Sequence, residues 1–257
     1  MKLAVAYNQH NYFSRAKALS VDLRLPFFGE CRDPRTCSEF EYLLLCSASG
    51  LAVQVTGKGK QGPVRVDLSS AKLQYRRRSG HNEMLGRACG VKASFIPKII
   101  DGTAGLGKDS FILADMGCDV ILVERSPIVA MLLEDGLERA RKSDQVTSAA
   151  RMHLVTEDGI KYLSNLEWGA ADVVYLDPMF PERSKSAKVK KEMQVFHLLV
   201  GESHDDAELL DAARTVAKYR VVVKRPINAP LLADQRCSFE LRGKTIRYDV
   251  YTNRKLP

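Results

Sequence analysis

The sequence KIIDGTAGLGKD, at residues 98–109, predicts a strand, a glycine-rich loop and the first turn of a helix. Gly102, Gly105 and Gly107 let the backbone approach a ligand closely, while the N-terminus of the helix points its free N–H groups at that ligand. A dinucleotide-binding loop spaces its glycines as G-x-G-x-x-G, whereas these glycines follow an acid, Asp101, at the end of the strand. We therefore predict the first strand–loop–helix unit of a nucleotide-binding α/β domain.

The sequence on both sides of this loop alternates between apolar, strand-like runs and helical patterns. Such alternation is typical of a parallel sheet that is covered on both faces. Predicted strands cover residues 98–101, 119–124, 152–155, 172–176 and 220–224, and predicted helices cover residues 109–116, 127–141, 189–200 and 206–217. Residues 238–241 and 246–251 flank Arg242-Gly243-Lys244 and predict a hairpin. The expected fold is Rossmann-like, with a mostly parallel seven-stranded sheet that an antiparallel hairpin closes.

The chain before this domain has a mixed, short-ranged pattern. The uncharged run at residues 42–57 reads as strand, turn, strand, and the alternating residues 53–55 and 64–68 predict half-buried strands around a glycine-rich turn. We predict a small α+β domain at residues 1–75 and a larger domain at residues 76–257. The basic stretch from Arg76 to Gly80 is the expected boundary.

Composition limits the classes of function. The 257 residues carry a net charge of +8, with 45% hydrophobic residues, so we expect a globular protein whose basic excess favours polyanionic partners if it is clustered. No apolar run approaches the roughly 18 residues of a membrane span, which predicts a cytoplasmic protein without membrane contacts. The six cysteines form no C-x-x-C pair, so neither a metal site nor a disulfide framework is expected.

Acids follow three successive predicted strands, at the edge where open α/β sheets bind ligands. Asp101 is poorly suited to a pyrophosphate, but it suits the positively charged amino-acid moiety of S-adenosylmethionine, through ordered water or the ammonium group. Glu124, beside Arg125, is expected to accept the ribose hydroxyls, and Asp158 to accept the adenine amino group. A single acid of this kind is more often a helix cap or a solvated loop residue. Three of them beside the glycine loop favour a cofactor site.

The fourth predicted strand runs into Asp177-Pro178-Met179-Phe180-Pro181. This stretch resembles the D/N-P-P-Y/F motif of amino-group methyltransferases, with Met179 in place of the second proline. The amino nitrogen of a base is a poor nucleophile because its lone pair is delocalised into the ring. The Asp177 carboxylate and the Pro178 carbonyl can accept its hydrogens and orient that lone pair, and Phe180 can stack on an unpaired base. The alternative is a tight turn with a core phenylalanine.

Together with residues 188–193 and 221–226, these motifs resemble the ribosomal RNA small subunit methyltransferase J family over roughly residues 76–251. The resemblance implies a class I methyltransferase fold and methylation of guanine N2 in 16S ribosomal RNA, at guanine 1516, with S-adenosylmethionine as the donor. The family's cofactor contacts then fall on Lys108, Asp109, Glu124, Arg125, Glu157, Asp158 and Asp177, beside Asp101 and Gly105 of the loop.

Basic residues follow the Asp177 loop, namely Arg183, Lys185, Lys188, Lys190 and Lys191. We expect them to bind phosphates of the substrate, which is 16S ribosomal RNA or the small ribosomal subunit, because phosphate contacts position a nucleic acid without reading its sequence. Two other functions stay open. One is an adenine N6 methyltransferase acting on RNA or DNA, since the same acceptors suit either amino group. The other is a non-catalytic RNA-binding assembly factor with the same fold.

Overall fold

The computed structural model describes residues 2–58, 62–70, 73, 82–143, 146–179, 199–201 and 205–257. The predicted boundary from Arg76 to Gly80 and most of the predicted helix 189–200 lie outside the described residues. Within the described part of the chain, no helix is both long enough and apolar enough to cross a membrane.

The first four strands of the chain form a four-stranded sheet. Its strands are β1 Leu3–Tyr7, β2 Phe27–Glu30, β3 Tyr42–Ser47 and β4 Gly50–Val55, in the order β2-β1-β3-β4. Helix α1, Phe13–Asp22, connects the parallel strands β1 and β2, while β3 and β4 form an antiparallel hairpin. The predicted strand–turn–strand at residues 42–57 is therefore confirmed. The central strand β1 and helix α1 were not predicted.

The predicted strand at residues 64–68 is wrong. Val64 forms an isolated bridge with Val53, and the residues after it leave the sheet. Val64, Val66 and Leu68 are nevertheless buried, which accounts for their alternating pattern. The carbonyl of Val66 accepts a hydrogen bond from Arg139, 73 residues further along the chain, so a tertiary contact takes the place of a strand partner.

The seven-stranded sheet consists of β5 Ile99–Asp101, β6 Val120–Glu124, β7 Met152–Thr156, β8 Ala171–Leu176, β9 Ala217–Pro226, β10 Phe239–Arg242 and β11 Ile246–Thr252. Their order is β10-β11-β9-β8-β5-β6-β7, with β11 antiparallel to both of its neighbours and the remaining pairs parallel. The predicted fold class, including the closing hairpin, is confirmed.

Five described helices accompany this sheet: α2 Asn82–Cys89, α3 Lys108–Asp115, α4 Pro127–Arg141, α5 Gly159–Ser164 and α6 Asp206–Val216. Helix α4 has the bounds that the sequence predicted, and it begins at Pro127 because Ser126 caps it and proline is favoured at the first helical position. Helix α5 was not predicted. It is a short helix that the side chain of Asp158 caps.

Alternate residues of the central strands enter two different cores, as expected for strands that are buried on both faces. Val173 and Tyr175 join a cluster that also contains residues of the four-stranded sheet, such as Leu44. Val174 and Leu176 join a second cluster with residues of α6. The smaller sheet therefore shares a hydrophobic core with one face of the larger sheet.

Helix α4 holds the two sheets together. A Cβ atom at Gly136 would lie 2.3 Å from Cγ1 of Val66 and 3.1 Å from its carbonyl oxygen, so only glycine allows this close approach. The neighbouring Asp135 accepts hydrogen bonds from Arg15 of α1, at 2.7 Å, and from the backbone N–H of Leu51, at 3.0 Å. These contacts fix the segment around Val66, and with it residues 63–65, beside the ligand edge of the larger sheet.

Candidate active site

A cavity of about 400 Å³ opens at the carboxyl ends of β5 and β8. These two strands are neighbours, and the chain leaves them for opposite sides of the sheet, toward β6 and toward β9. Such a switch in strand order is where open α/β sheets bind their ligands. The predicted site residues that line the cavity are Asp101, Gly105, Lys108, Asp109, Glu124, Arg125, Asp158, Asp177 and Pro178.

Glu157 stands apart from this set. It does not line the cavity, and its carboxylate forms an ion pair with Lys161 at 2.8 Å. Phe180, Arg183, Lys185, Lys188, Lys190 and Lys191 lie outside the described residues.

The glycine loop brings its backbone to the cavity wall and then starts α3. Gly107, with a φ of +68°, is the residue before that helix, in a conformation that side chains rarely adopt. Asp101 lies beneath the loop, where it accepts hydrogen bonds from the Thr103 N–H, at 3.1 Å, and from the Ser110 hydroxyl. Burial raises the pKa of Asp101 to about 7, against the opposing effect of these bonds. A cationic ligand would favour its ionised form.

Glu124 ends β6 with a buried carboxylate. One oxygen accepts the N–H of Gly105 at 2.8 Å and the other accepts the N–H of Ser126 at 2.7 Å. Burial raises its pKa, while the two backbone hydrogen bonds act in the opposite direction. Each carboxylate oxygen has more than one acceptor position. Glu124 can therefore hold the glycine loop and still accept a ligand hydroxyl.

Asp158 has a structural role at the start of α5. Its Oδ1 accepts the N–H groups of Ile160, at 3.0 Å, and Lys161, at 3.1 Å. This is the usual function of an acid at the N-cap of a helix. Because Asp158 also lines the cavity, its cap orients the carboxylate toward the ligand edge of the sheet.

Asp177 belongs to a charged cluster that the sequence analysis did not identify. Lys224 of β9 places its Nζ 2.7 Å from Oδ2 of Asp177 and 2.7 Å from Oδ2 of Asp109. The hydroxyl of Tyr175 donates to the same Asp109 oxygen at 2.7 Å. The backbone N–H of Asp177 donates to the Thr103 hydroxyl at 2.6 Å, which ties the residue to the glycine loop. The signal in the sequence was a lysine directly after the apolar run Val221-Val222-Val223.

Residues that precede the larger sheet in the chain form another part of the cavity wall. Pro63, Val64 and Arg65 line it, although they follow the small sheet in the chain. The guanidinium of Arg65 donates to the Ser49 carbonyl at 3.3 Å. From the sequence, Pro63 was expected in a turn and Val64 and Arg65 in a strand, so their proximity to the ligand edge was not predicted.

The charges on the wall fit S-adenosylmethionine better than a dinucleotide. Six carboxylates and four cations line the cavity: Asp101, Asp109, Glu124, Asp158, Asp177 and Asp205, against Arg65, Lys108, Arg125 and Lys224. An acidic excess repels a pyrophosphate and attracts a ligand with a net positive charge, such as a sulfonium with an ammonium group. The arrangement can thus bind a cationic nucleoside and present Asp177 beside it.

Comparisons with known proteins agree with this geometry. Residues 34–253 match the family described as "Putative SAM-dependent methyltransferase". A ribosomal RNA small subunit methyltransferase J from Thioalkalivibrio sulfidiphilus is 46% identical, with 97% of each chain covered, and one from Marinobacter nauticus is 44% identical over 99% of this chain and 93% of its own. The crystal structure of the SAM-dependent methyltransferase NGO1261 from Neisseria gonorrhoeae superposes with a TM-score of 0.72 at 33% identity, covering 97% of this chain and 96% of the other.

Proposed function

The chain belongs to the ribosomal RNA small subunit methyltransferase J family, and from this premise we propose that it methylates the exocyclic N2 of a guanine in 16S ribosomal RNA. It is an S-adenosylmethionine-dependent methyltransferase by family and by fold. The proposed target nucleotide is guanine 1516, as the resemblance of its motifs implies. The observation that carries the proposal is the position of Asp177, at the end of β8 on the wall of a cavity with an acidic excess.

S-adenosylmethionine, when bound, supplies an electrophilic methyl group on a sulfonium. The residues of this chain must then hold the amino group of the base in line with it. We propose that the Asp177 carboxylate and the Pro178 carbonyl accept the two amino hydrogens and so turn the nitrogen lone pair toward the methyl group. Fixed acceptors of this kind also stabilise the positive charge that develops on nitrogen.

Cofactor binding is assigned in the same proposal to the acids around the glycine loop. Glu124 receives the ribose hydroxyls, Asp158 the adenine amino group, and Asp101 the amino-acid moiety. Burial makes Asp101 and Glu124 harder to ionise, and a cationic ligand compensates that cost. We retain Lys108, Asp109 and Arg125 as further contacts, since all three line the cavity. Glu157 is retained from the family resemblance alone.

The proposed RNA contacts are inferred from the sequence alone. We propose that Phe180 stacks on the target base and that Arg183, Lys185, Lys188, Lys190 and Lys191 bind phosphates of 16S ribosomal RNA or of the small subunit. A chain with a net charge of +8 suits such a partner. A cytoplasmic location is part of this proposal, because the enzyme must meet ribosomal RNA where ribosomes are assembled.

Methyl transfer from labelled S-adenosylmethionine tests the proposal directly. Unmodified 16S RNA and small-subunit particles are the two substrates, and nucleoside mass spectrometry identifies the product before the nucleotide is mapped. The expected product is N2-methylguanosine at one position. N6-methyladenosine would show an adenine enzyme instead, and cofactor binding without transfer to either substrate would support a non-catalytic assembly factor.

A further inference from the structure

Lys224 is a mostly buried cation between two acids, and three elements of the fold bring this group together. Lys224 lies on β9 and pairs with Tyr248 of β11, while its neighbour Val223 pairs with Leu176, the residue before Asp177. Asp109 comes from the first turn of α3. The Lys224 side chain is 21% exposed, and its ammonium lies 2.7 Å from a carboxylate oxygen of each acid.

The protonation state of Lys224 follows from its surroundings. Burial alone would lower the pKa of Lys224, but the charges and hydrogen bonds of Asp109 and Asp177 outweigh it and raise the pKa above its ordinary value. The two acids therefore favour the protonated ammonium form of Lys224. A lysine that does not release its proton is not a general base, so its contribution must come from its fixed charge and its hydrogen bonds.

We propose that Lys224 is a positioning residue for methyl transfer, which holds the Asp177 carboxylate in a fixed orientation and in its ionised form. This inference rests on the proposed function, and it identifies a residue on which Asp177 depends. With Oδ2 committed to the ammonium, the plane of the carboxylate is set relative to Pro178 and to the cavity. Asp109 holds the other side of the ammonium, and the hydroxyl of Tyr175 orients Asp109 in turn.

The charge balance of the reaction explains why an ionised acceptor is needed. The carbon–sulfur bond of the sulfonium breaks, a carbon–nitrogen bond forms, and the positive charge moves to the amino nitrogen, which then releases one proton. A protonated Asp177 would be a weaker acceptor for the amino hydrogens. A neighbouring ammonium opposes protonation of the carboxylate. It also makes the carboxylate a weak base, so the released proton passes on to water and the site is ready for another turnover.

The test compares three variants. Lys224→Met keeps most of the side-chain volume without the charge, Lys224→Arg keeps the charge, and Lys218→Met removes a lysine of the same strand that does not line the cavity. Turnover and KM are measured with the substrate on which the wild type is active, across pH. Melting temperatures are measured on all three variants.

For Lys224→Met we expect turnover to fall by about 10²-fold, the size typical of losing one preorganised electrostatic group. The KM for RNA should change only a few-fold. The acidic limb of the pH–rate profile should move to higher pH, because the pKa of Asp177 rises without the ammonium. Among the described residues, the charged and titratable groups near Asp177 include Lys224 of β9, Tyr175 of β8 and Asp101 of β5, with Asp109 of α3 on the other side of the ammonium. Lys224→Arg should recover part of the turnover, and Lys218→Met should match the wild type.

A second measurement does not need turnover. The carboxyl resonance of Asp177 can be titrated by carbon NMR in the cofactor-free protein, where Lys224→Met should raise its pKa relative to the wild type and Lys218→Met should not. An unchanged Asp177 titration in a folded Lys224→Met protein, or an unchanged pH–rate profile, would overturn the inference. A wild type that methylates a different amino group would overturn the proposed target but not this inference, since the variants would then be compared on that group.

Discussion

The fold contains two partly buried charge clusters of opposite design. At the junction of the two sheets, Asp135 lies between two cations, with Arg15 at 2.7 Å and Arg139 at 2.8 Å. At the cavity, Lys224 lies between two acids, Asp109 and Asp177. The first cluster is absent from the cavity wall, whereas all three residues of the second line it.

The difference shows that one charge cluster can serve the stability of the fold while another serves the chemistry of the site. The carboxylate of Asp135 is satisfied by Arg15, Arg139 and the Leu51 N–H, and these groups tie the small sheet to α4. None of these groups lines the cavity. The cavity cluster instead keeps charge on a wall that a ligand touches, which is the arrangement typical of functional sites. Loss of the junction cluster should therefore affect folding, and loss of the cavity cluster should affect chemistry.

The largest expected effect is on turnover in Asp177→Ala. Removing one oriented acceptor typically costs about 10²–10³ in turnover, or about 2.7–4 kcal/mol. Stability should change little, because the Asp177 side chain is 40% exposed. Turnover is measured with labelled cofactor and the melting temperature by calorimetry.

The control for that variant is Asp205→Ala, which removes an exposed acid on the wall of the same cavity. It should keep turnover near that of the wild type. Equal losses in the two variants would mean that the overall charge of the cavity matters and not the acceptor at Asp177, and the distinction between the two clusters would weaken.

The junction cluster should give the opposite result. Asp135→Ala should lower the free energy of unfolding by about 3 kcal/mol, the lower end of what breaking a buried pair costs, because Arg15 and Arg139 are partly exposed and can turn toward water. Urea denaturation measures this loss. In protein that remains folded, the change in cofactor affinity should be small and indirect, through residues 63–65, because no residue of the cluster lines the cavity.

Glu134 offers a matched control on the same helix. Its carboxylate is 44% exposed and lies 3.7 Å from Arg141, so Glu134→Ala should change the unfolding free energy by about 0–1 kcal/mol. A similar small loss in Asp135→Ala would show that the junction cluster does not hold the two sheets together.

A third prediction concerns two acids that the sequence analysis treated alike. Glu124→Gln should weaken S-adenosylmethionine binding by roughly tenfold or more, since a hydrogen bond to a charged group is worth about 1.5–3 kcal/mol. Glu157→Gln should weaken the affinity far less, because Glu157 does not line the cavity and is proposed as a contact from the family resemblance alone. Calorimetric titration of both variants measures the difference. Equal affinities in the two variants would remove Glu124 from the proposed ribose site.

The sequence predicted the large sheet better than the small one, for a physical reason. Strands β5 to β9 follow one another with helices between them, so local periodicity shows each element. Strand β1 instead pairs with β2 and β3 across longer stretches of chain. All five of its residues are buried, so it has no alternating pattern to mark it. Its place in the centre of the small sheet depends on long-range pairing, which a local pattern does not encode.

The residues of the site also differ in whether the sequence could predict them. Acids at strand ends could be predicted, because parallel strands bring their carboxyl ends to one edge. Lys224 could not, since its partners Asp109 and Asp177 lie 115 and 47 residues away and meet it only in the folded sheet. A lysine at the end of an apolar strand is also compatible with a side chain that simply extends into water. Residues 63–65 were missed because their position depends on the junction at α4.

The smallest expected effect concerns Asp158, which combines the two kinds of role in one residue. Asparagine is as good an N-cap as aspartate, so Asp158→Asn should keep the hydrogen bonds to Ile160 and Lys161 and leave the melting temperature unchanged. Its second oxygen, however, becomes an NH₂ group, which cannot accept a hydrogen bond from the adenine amino group. Cofactor affinity should then fall by about two- to tenfold, the value of one hydrogen bond of about 0.5–1.5 kcal/mol. Asp158→Ala should lose the cap as well, at a cost of about 1 kcal/mol in stability. If Asp158→Asn binds S-adenosylmethionine as tightly as the wild type does, Asp158 acts only as a helix cap and belongs with Asp135 among the structural acids.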